Sequence, residues 1–516
     1  MEKRSVVLVI LDGWGIGSDD FTNPIYVAKP KNIEYLKQNF PSGSLQASGI
    51  AVGLPWGEEG NSEVGHLNMG AGKIIYQNYP RITMAIRNGE FFKNETLKKA
   101  FDHAKENNAS VNFVGLLTEA NVHASFEHLE ALIKFAEKEN FPPEKVNLHL
   151  ITDGRDSPPK SALGLINRLP DIKQLASIGG RFYTMDRDKH WERTKLGYDV
   201  LAGDGPVTND FTAHLNENYA KNLNDEYVLP TLIGPEIKPI KENDSVIFFN
   251  FREDRMKQIV KSFIDKDFAN FPVKKFTNLH VATMTNYDDL FKTNVIFPPE
   301  VINTCLSKIL ADSGKIQWRV TETEKYAHIT YFFNGEQEQP FQNEYRVLVP
   351  SQIGFKFDEH PEMRAEEITQ RLVEAIEEKA YDFILTNYAN SDIIAHTGNF
   401  NATVEAINVV DEQIGKITKA VLDSNAILII TSDHGNAERL VNPETGEPET
   451  KHDISPVPIY LVANEFKRQR TAADIRNGER KQIGVLADVT PTILDLMKIK
   501  KPAEMTGQSL LEYLAE

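Results

Sequence analysis

Residues 6–15 read Val6-Val7-Leu8-Val9-Ile10-Leu11-Asp12-Gly13-Trp14-Gly15. An unbroken apolar, β-branched run that stops at an aspartate and a glycine is the pattern of a strand buried on both faces, because polar alternation disappears when neither face meets water. Lys3 and Arg4 ahead of the run imitate a secretory leader, but six apolar residues ending at Asp12 fall short of the roughly 7–15 that a leader core needs. A strand is expected instead. Runs of the same kind recur at Val111–Leu117, Val146–Ile151, Val246–Phe249, Leu279–Met284, Phe383–Leu385, Ala426–Ile430 and Pro458–Val462. Segments of helical period lie between them, at Phe126–Glu139, Met256–Ile264, Val301–Leu310, Ala365–Lys379, Ala402–Leu422 and Val489–Leu496. This alternation predicts an α/β fold, a mostly parallel sheet flanked by helices.

Composition narrows the function. Against 57 basic residues stand 74 acidic ones, a net charge of −17 over 516 residues, which argues against a nucleic-acid binder. The single cysteine, Cys305, cannot form an intrachain disulfide or a thiolate metal site, and a reducing cytoplasm is the expected setting. No stretch reaches the roughly 18 apolar residues of a membrane span. A monomer acting on a small molecule, with neither nucleic acid nor membrane as partner, is expected.

Chemistry is distributed unevenly along the chain. Aspartates and histidines with metal-ligand character fall in 1–77 and 300–516, arginines cluster in 78–299, and proline-bearing stretches at Tyr76–Pro80 and Phe297–Pro299 suit crossovers. One discontinuous domain, 1–77 with 300–516, is therefore expected to carry an inserted second α/β domain, 78–299.

In the outer segments, acid or imidazole groups stand just beyond strands, where open α/β sheets gather ligands. Asp12 follows the first strand; Asp433 and His434 follow Ala426–Ile430; Asp392 and His396, four apart, share a face on a helical turn; His452 precedes Pro458–Val462. Singly, each is a turn or cap residue or a surface pair. Jointly, three converging carboxylates would repel one another, and metal coordination is the usual escape. Oxygen and imidazole donors without thiolate suit Mn²⁺, Mg²⁺, Zn²⁺ or Co²⁺, and they suffice for two ions. Gly60-Asn61-Ser62-Glu63-Val64-Gly65-His66 sets a serine at a helix start. That serine reads either as an N-cap or as a nucleophile activated by a divalent ion.

The inner segment offers Asp153-Gly154-Arg155-Asp156, Met185-Asp186-Arg187-Asp188 running on to Trp191-Glu192-Arg193, and Asn250-Phe251-Arg252-Glu253-Asp254-Arg255, each expected after a strand. Surface Arg–Asp pairs are one reading, contributing at most about 1 kcal/mol each. Bidentate recognition of carboxylate and phosphate is the other. Asp156 suits proton exchange with a substrate hydroxyl, His123 a substrate contact, and Lys325 a point charge for a transferring phosphoryl group.

Taken together these motifs resemble the cofactor-independent (2,3-bisphosphoglycerate-independent) phosphoglycerate mutases of the alkaline-phosphatase-like superfamily. The likeness runs from Leu11-Asp12-Gly13-Trp14-Gly15 to Glu504-Met505-Thr506-Gly507-Gln508-Ser509-Leu510. It implies one metal held by Asp392, His396 and His452 and a second by Asp12, Ser62, Asp433 and His434. The ion implied is Mn²⁺, with no bisphosphoglycerate cofactor. Implied substrate contacts are His123, Arg155, Asp156, Arg187, Arg193, Arg252, Arg255 and Lys325, with Ser62, Asp156 and Lys325 catalytic. The implied reaction interconverts 3- and 2-phosphoglycerate through a phosphoserine, in glycolysis and gluconeogenesis; a metal-dependent phosphomonoesterase of the same superfamily is the rival. Thr118–Ser125 departs from the family pattern by lacking two glycines before His123, which puts the presentation of that histidine in question.

Overall fold

The structure is a computed structural model that describes residues 4–354 and 356–515. The chain divides into two compact units, Met1–Gln77 with Val301–Glu516, and Asn78–Glu300. The first holds strands β1 (Val6–Leu11) and β2 (Ser42–Gln46). After the second unit's strands it resumes with β11 (Gln317–Glu322), β12 (Glu344–Val349), β13 (Phe383–Tyr388), β14 (Ile427–Thr431), β15 (Val457–Val462) and β16 (Gln482–Val485). They form one eight-stranded sheet in the order β12-β11-β13-β1-β14-β15-β2-β16. β1 lies between β13 and β14, parallel to both, and β15 is antiparallel to its two neighbours.

The opening run behaves as its composition demands. Val7, Val9 and Leu11 enter the apolar cluster on one face of the sheet, with Trp14, while Val6, Leu8 and Ile10 enter the cluster on the other. Side chains alternate across a strand, so a run apolar at every position requires helices on both faces. These include Ala365–Glu378 and Phe400–Asp423 on the first face and Val489–Leu496 on the second.

The second unit contains β3 (Val111–Leu117), β4 (Val146–Thr152), β5 (Leu175–Gly180), β6 (Val207–Thr208), β7 (Thr231–Ile233), β8 (Ser245–Phe248), β9 (His280–Thr285) and β10 (Asn294–Phe297). Their order is β10-β9-β8-β3-β4-β5-β7-β6, around a single large core. Both units are thus α/β with mostly parallel sheets. Among the described residues no helix is long and apolar enough to cross a membrane.

Two expectations need correction. The helix expected over Val301–Leu310 begins at Leu306, after Cys305 in extended conformation. Ile302 packs against Leu67 and Ala71 instead, so an apolar spacing that imitates a helical stripe is used by an extended segment. The motif Met185–Asp188 does not follow a strand directly; the short helix Arg181–Thr184 intervenes after β5.

Candidate functional site

In the first unit the chemistry-bearing side chains gather at the carboxyl ends of four adjacent parallel strands, β11, β13, β1 and β14. Asp12 follows β1. Its loop passes so close to the next strand's loop that a Cβ on Gly13 would lie 2.9 Å from the Cα of Asp392, and Gly13 adopts φ +67, a double requirement for glycine. Asp433 and His434 follow β14. Ser62 is the first residue of the helix Ser62–Ala71, whose N-cap is Asn61 with its side chain accepting from the Val64 amide at 2.9 Å. Ser62 is therefore not the cap, and its hydroxyl is free to turn inward. A Cβ on Gly65 would meet the Asp433 carbonyl at 2.6 Å, which is how this helix approaches the β14 loop.

The resulting distances are short. Ser62 Oγ lies 3.2 Å from Asp12 Oδ1 and 2.9 Å from His434 Nε2, and His434 Nε2 lies 3.6 Å from Asp433 Oδ2. Asp392 Oδ1 lies 3.3 Å from His396 Nε2 and 3.4 Å from His452 Nε2, and these two imidazole nitrogens are 3.0 Å apart. Asp12, Asp392, Asp433 and His434 are buried, whereas His396 stands at the rim.

Backbone carbonyls fix all three imidazoles in one tautomer. His396 Nδ1 donates to Thr450 O at 2.8 Å, His452 Nδ1 to Gly60 O at 2.7 Å and His434 Nδ1 to Gly435 O at 3.2 Å. A carbonyl can only accept, so each Nδ1 carries a hydrogen and each Nε2 is turned toward the carboxylates, bearing a lone pair in the neutral ring and a proton in the charged one. Imidazole nitrogens gathered around buried carboxylates, with Asp433 Oδ2 making no hydrogen bond, form a donor set that fits cations. Asp392–His434–His452 and Asp12–Asp433–His434 each bring their ligand atoms within 4.8 Å of one another. Burial works against a charge on His434, but Asp433, Asp392 and Asp12 outweigh it and hold its pKa up to about 10. The local field thus favours positive charge at that Nε2, which a proton or a divalent ion can supply.

Lys325, after β11, enters the same cluster. Its buried ammonium donates to Asp12 Oδ1 at 2.6 Å, Asp392 Oδ2 at 2.8 Å and Ser62 Oγ at 2.8 Å. Burial alone would lower its pKa, yet Asp12, Asp392 and Asp433 raise it above that of a free lysine. Asp392 is held well below the usual carboxylate range, the charge of Lys325 overcoming the cost of burial. Two asparagines escaped the sequence reading. Asn387 Nδ2, at the end of β13, donates to Asp12 Oδ2 at 2.7 Å and to His66 Nε2 at 3.0 Å; Asn436 Nδ2 donates to Asp392 Oδ1 at 2.8 Å. Glu438 accepts from the amides of Gly15 and Asn436, tying the β1 loop to the β14 loop, and burial pushes its pKa up to about 7.

The second unit repeats the plan at the carboxyl ends of β8, β3, β4 and β5. Asp153 folds back on its own loop, accepting from the amides of Arg155, Asp156 and Ser157. The buried Arg181, another residue the sequence reading missed, donates to Asp153 Oδ1 at 2.6 Å and also binds Asp156. Asp254 gathers Arg187 at 2.6 Å, Arg252 at 3.4 Å and His123 at 3.4 Å. Arg255 donates to the Met185 carbonyl at 3.4 Å, and Arg193 lies 3.7 Å from Asp186 and Arg155 3.7 Å from Glu226. Arg155, Arg187 and Arg252 are about half exposed.

His123 is well placed despite its unusual loop. Asn121 takes the left-handed conformation, φ 57, that glycine would otherwise supply. The His123 carbonyl accepts from the amides of Phe251 and Arg252, joining the loop to the arginine motif. Burial, then the charge of Arg181, pushes its imidazole down to about 4, so the ring is uncharged in the ligand-free protein.

The model of the Metalloenzyme superfamily matches residues 4–501. A 2,3-bisphosphoglycerate-independent phosphoglycerate mutase of Clostridium novyi (strain NT) is 44% identical, over 99% of this chain and 100% of its own. One from Methanosarcina barkeri is also 44% identical, over 99% and 98%. Among solved structures, that of Leishmania mexicana phosphoglycerate mutase at low cobalt concentration matches with a TM-score of 0.52 at 28% identity, covering 98% of each chain.

Proposed function

The chain belongs to the Metalloenzyme superfamily and, within it, to the 2,3-bisphosphoglycerate-independent phosphoglycerate mutases, and from that premise we propose how its residues interconvert 3-phosphoglycerate and 2-phosphoglycerate. The observation that carries the reading is the set of three backbone-locked imidazoles turning Nε2 toward buried carboxylates around Ser62 and Lys325.

Asp392, His396 and His452 would hold one divalent ion, and Asp12, Ser62, Asp433 and His434 a second. Mn²⁺ is the ion we assign, in competition with Mg²⁺, Zn²⁺ and Co²⁺, which accept the same donors. Bound there, the ions would supply Lewis-acid charge that lowers the pKa of the serine hydroxyl and neutralises the carboxylates. Two dications give +4 against −4 for three aspartates and an ionised serine; the Lys325 ammonium adds one positive charge, which favours an incoming phosphate dianion.

In the first step the Ser62 Oγ–P bond forms as the P–O3 bond of 3-phosphoglycerate breaks, and the proton that Ser62 gives up passes by way of Asp156 to the departing O3. Glycerate stays bound through its carboxylate and hydroxyls to Arg155, Arg187, Arg193, Arg252, Arg255 and His123, and turns over. Its 2-hydroxyl then attacks the phosphoserine, returns a proton to Asp156 and frees Ser62. Phosphate goes back to the molecule it left, so no bisphosphoglycerate is consumed, and water must be kept from the phosphoserine throughout. A cytoplasmic, monomeric enzyme is the proposed setting, in keeping with the buried free thiol of Cys305.

The test is turnover of 3-phosphoglycerate without primer, before and after chelation. Activity should vanish with the metal and return with Mn²⁺. Full activity after exhaustive metal removal would reject the scheme, and release of inorganic phosphate faster than mutase flux would turn it into a phosphomonoesterase.

A further inference from the structure

The second unit contains a cavity of about 560 Å³ that the mutase reading leaves unused. Its volume is that of a small-molecule site. Its apolar lining is Trp191, Ile264, Phe291 and Leu290, the last 87% exposed. Trp191 is fixed by Phe268, which meets it edge-on with ring centroids 5.7 Å apart, so its ring offers a rigid stacking surface at little entropic cost.

The rim is basic. Four lysines line it against two aspartates, in a chain whose net charge is −17. Lys257 reaches Asp288 at 3.7 Å and Lys261 reaches Asp265 at 3.6 Å. Lys266 and Lys292 have no carboxylate within ion-pair distance among the described residues. A lining that combines aromatic side chains with two unpaired ammonium groups is complementary to a flat ring system that carries an acidic group.

The cavity also shares a wall with the arginine loop. Gln258 lines it and, with the same side chain, donates from Nε2 to Asp186 and to Thr194, both at 2.9 Å, while its Oε1 accepts from the Lys189 amide at 2.8 Å. Those partners flank Arg187 and Arg193. Trp191 itself opens the helix Trp191–Leu201 that carries Arg193.

We propose that this cavity binds a planar aromatic anion, one bearing a phosphate, sulfonate or carboxylate, and that its occupancy shifts the affinity of the arginine loop for substrate through Gln258. Binding itself is independent of the metal-centre chemistry; only the coupling is read through the mutase reaction.

The test uses the metal-loaded enzyme and anilinonaphthalene sulfonate as probe. Saturable one-to-one binding is expected, with probe emission sensitised by Trp191. Leu290→Asp, and separately Lys266→Glu with Lys292→Glu, should each weaken binding about tenfold while leaving mutase turnover without probe unchanged, which also shows that the variants fold. Saturating probe should change the KM for 3-phosphoglycerate about fivefold. Absence of saturable binding, affinity unaltered in both variants, or sensitised emission undiminished by Trp191→Phe would overturn the site. Binding with an unchanged KM would overturn the coupling.

Discussion

The two units place their chemistry alike, at the carboxyl ends of four neighbouring parallel strands, yet build it to opposite tolerances. In the first, the carboxylates are buried and three imidazoles are locked by main-chain carbonyls of Thr450, Gly60 and Gly435. In the second, Arg155, Arg187 and Arg252 are half exposed and lean on aspartate and glutamate partners at up to 3.7 Å. The difference suits what each is proposed to hold. A cation gains most from donors fixed before it arrives, since any rearrangement is subtracted from its affinity. Guanidinium groups that receive an organic anion must exchange a protein carboxylate for a substrate one, so loose pairs are the appropriate resting state.

Substitutions that exploit this contrast should differ in size. Ser62→Ala should cut mutase turnover by about 10⁴-fold or more, because no other group can carry the phosphoryl; steady-state assay with a trap for phosphoserine checks it. Lys325→Met should lower turnover by about 10³-fold. It should also destabilise the chelated protein by about 3–5 kcal/mol, since Asp12 and Asp392 lose their buried partner. Added Mn²⁺ should recover most of that loss in a denaturation experiment, and a variant as stable as wild type under chelation would deny Lys325 its role.

Asn436→Leu, which removes a donor to Asp392 without touching any ligand, should weaken Mn²⁺ binding about 10–100-fold in a competition titration. The smallest effect belongs to the looser unit. Arg252→Lys should raise the KM for 3-phosphoglycerate about tenfold with a lesser change in kcat, and an effect as large as that of Ser62→Ala would erase the contrast between the units.

The sequence is most readable where one physical demand acts alone. The limits of β1, and of β3 and the helix Val489–Leu496, are those read from apolar periodicity, because burial keeps these segments mostly apolar, with Asn112, Thr490 and Thr492 the buried polar exceptions. The pairing of Asp392 with His396 follows from four-residue helical spacing. Strands β11 and β12 escaped because their polar residues look like surface: Arg319 is fully buried, 3.6 Å from Glu344 across the pair. Arg181, Asn387 and Asn436 escaped for a different reason. Each acts through a partner distant in sequence, and nothing in the local spacing around it marks the contact. The short helix before Met185 and the extended start of Val301–Leu310 show the limit of periodicity where apolar residues serve neighbouring segments.

Anomalous diffraction from crystals grown with Mn²⁺ would locate the ions themselves. The account predicts two peaks, one touching Asp392 and the Nε2 atoms of His396 and His452, the other touching Asp12, Ser62 Oγ, Asp433 and the Nε2 of His434. Peaks that lie elsewhere, or no bound manganese at all in an enzyme that still turns over 3-phosphoglycerate, would contradict it.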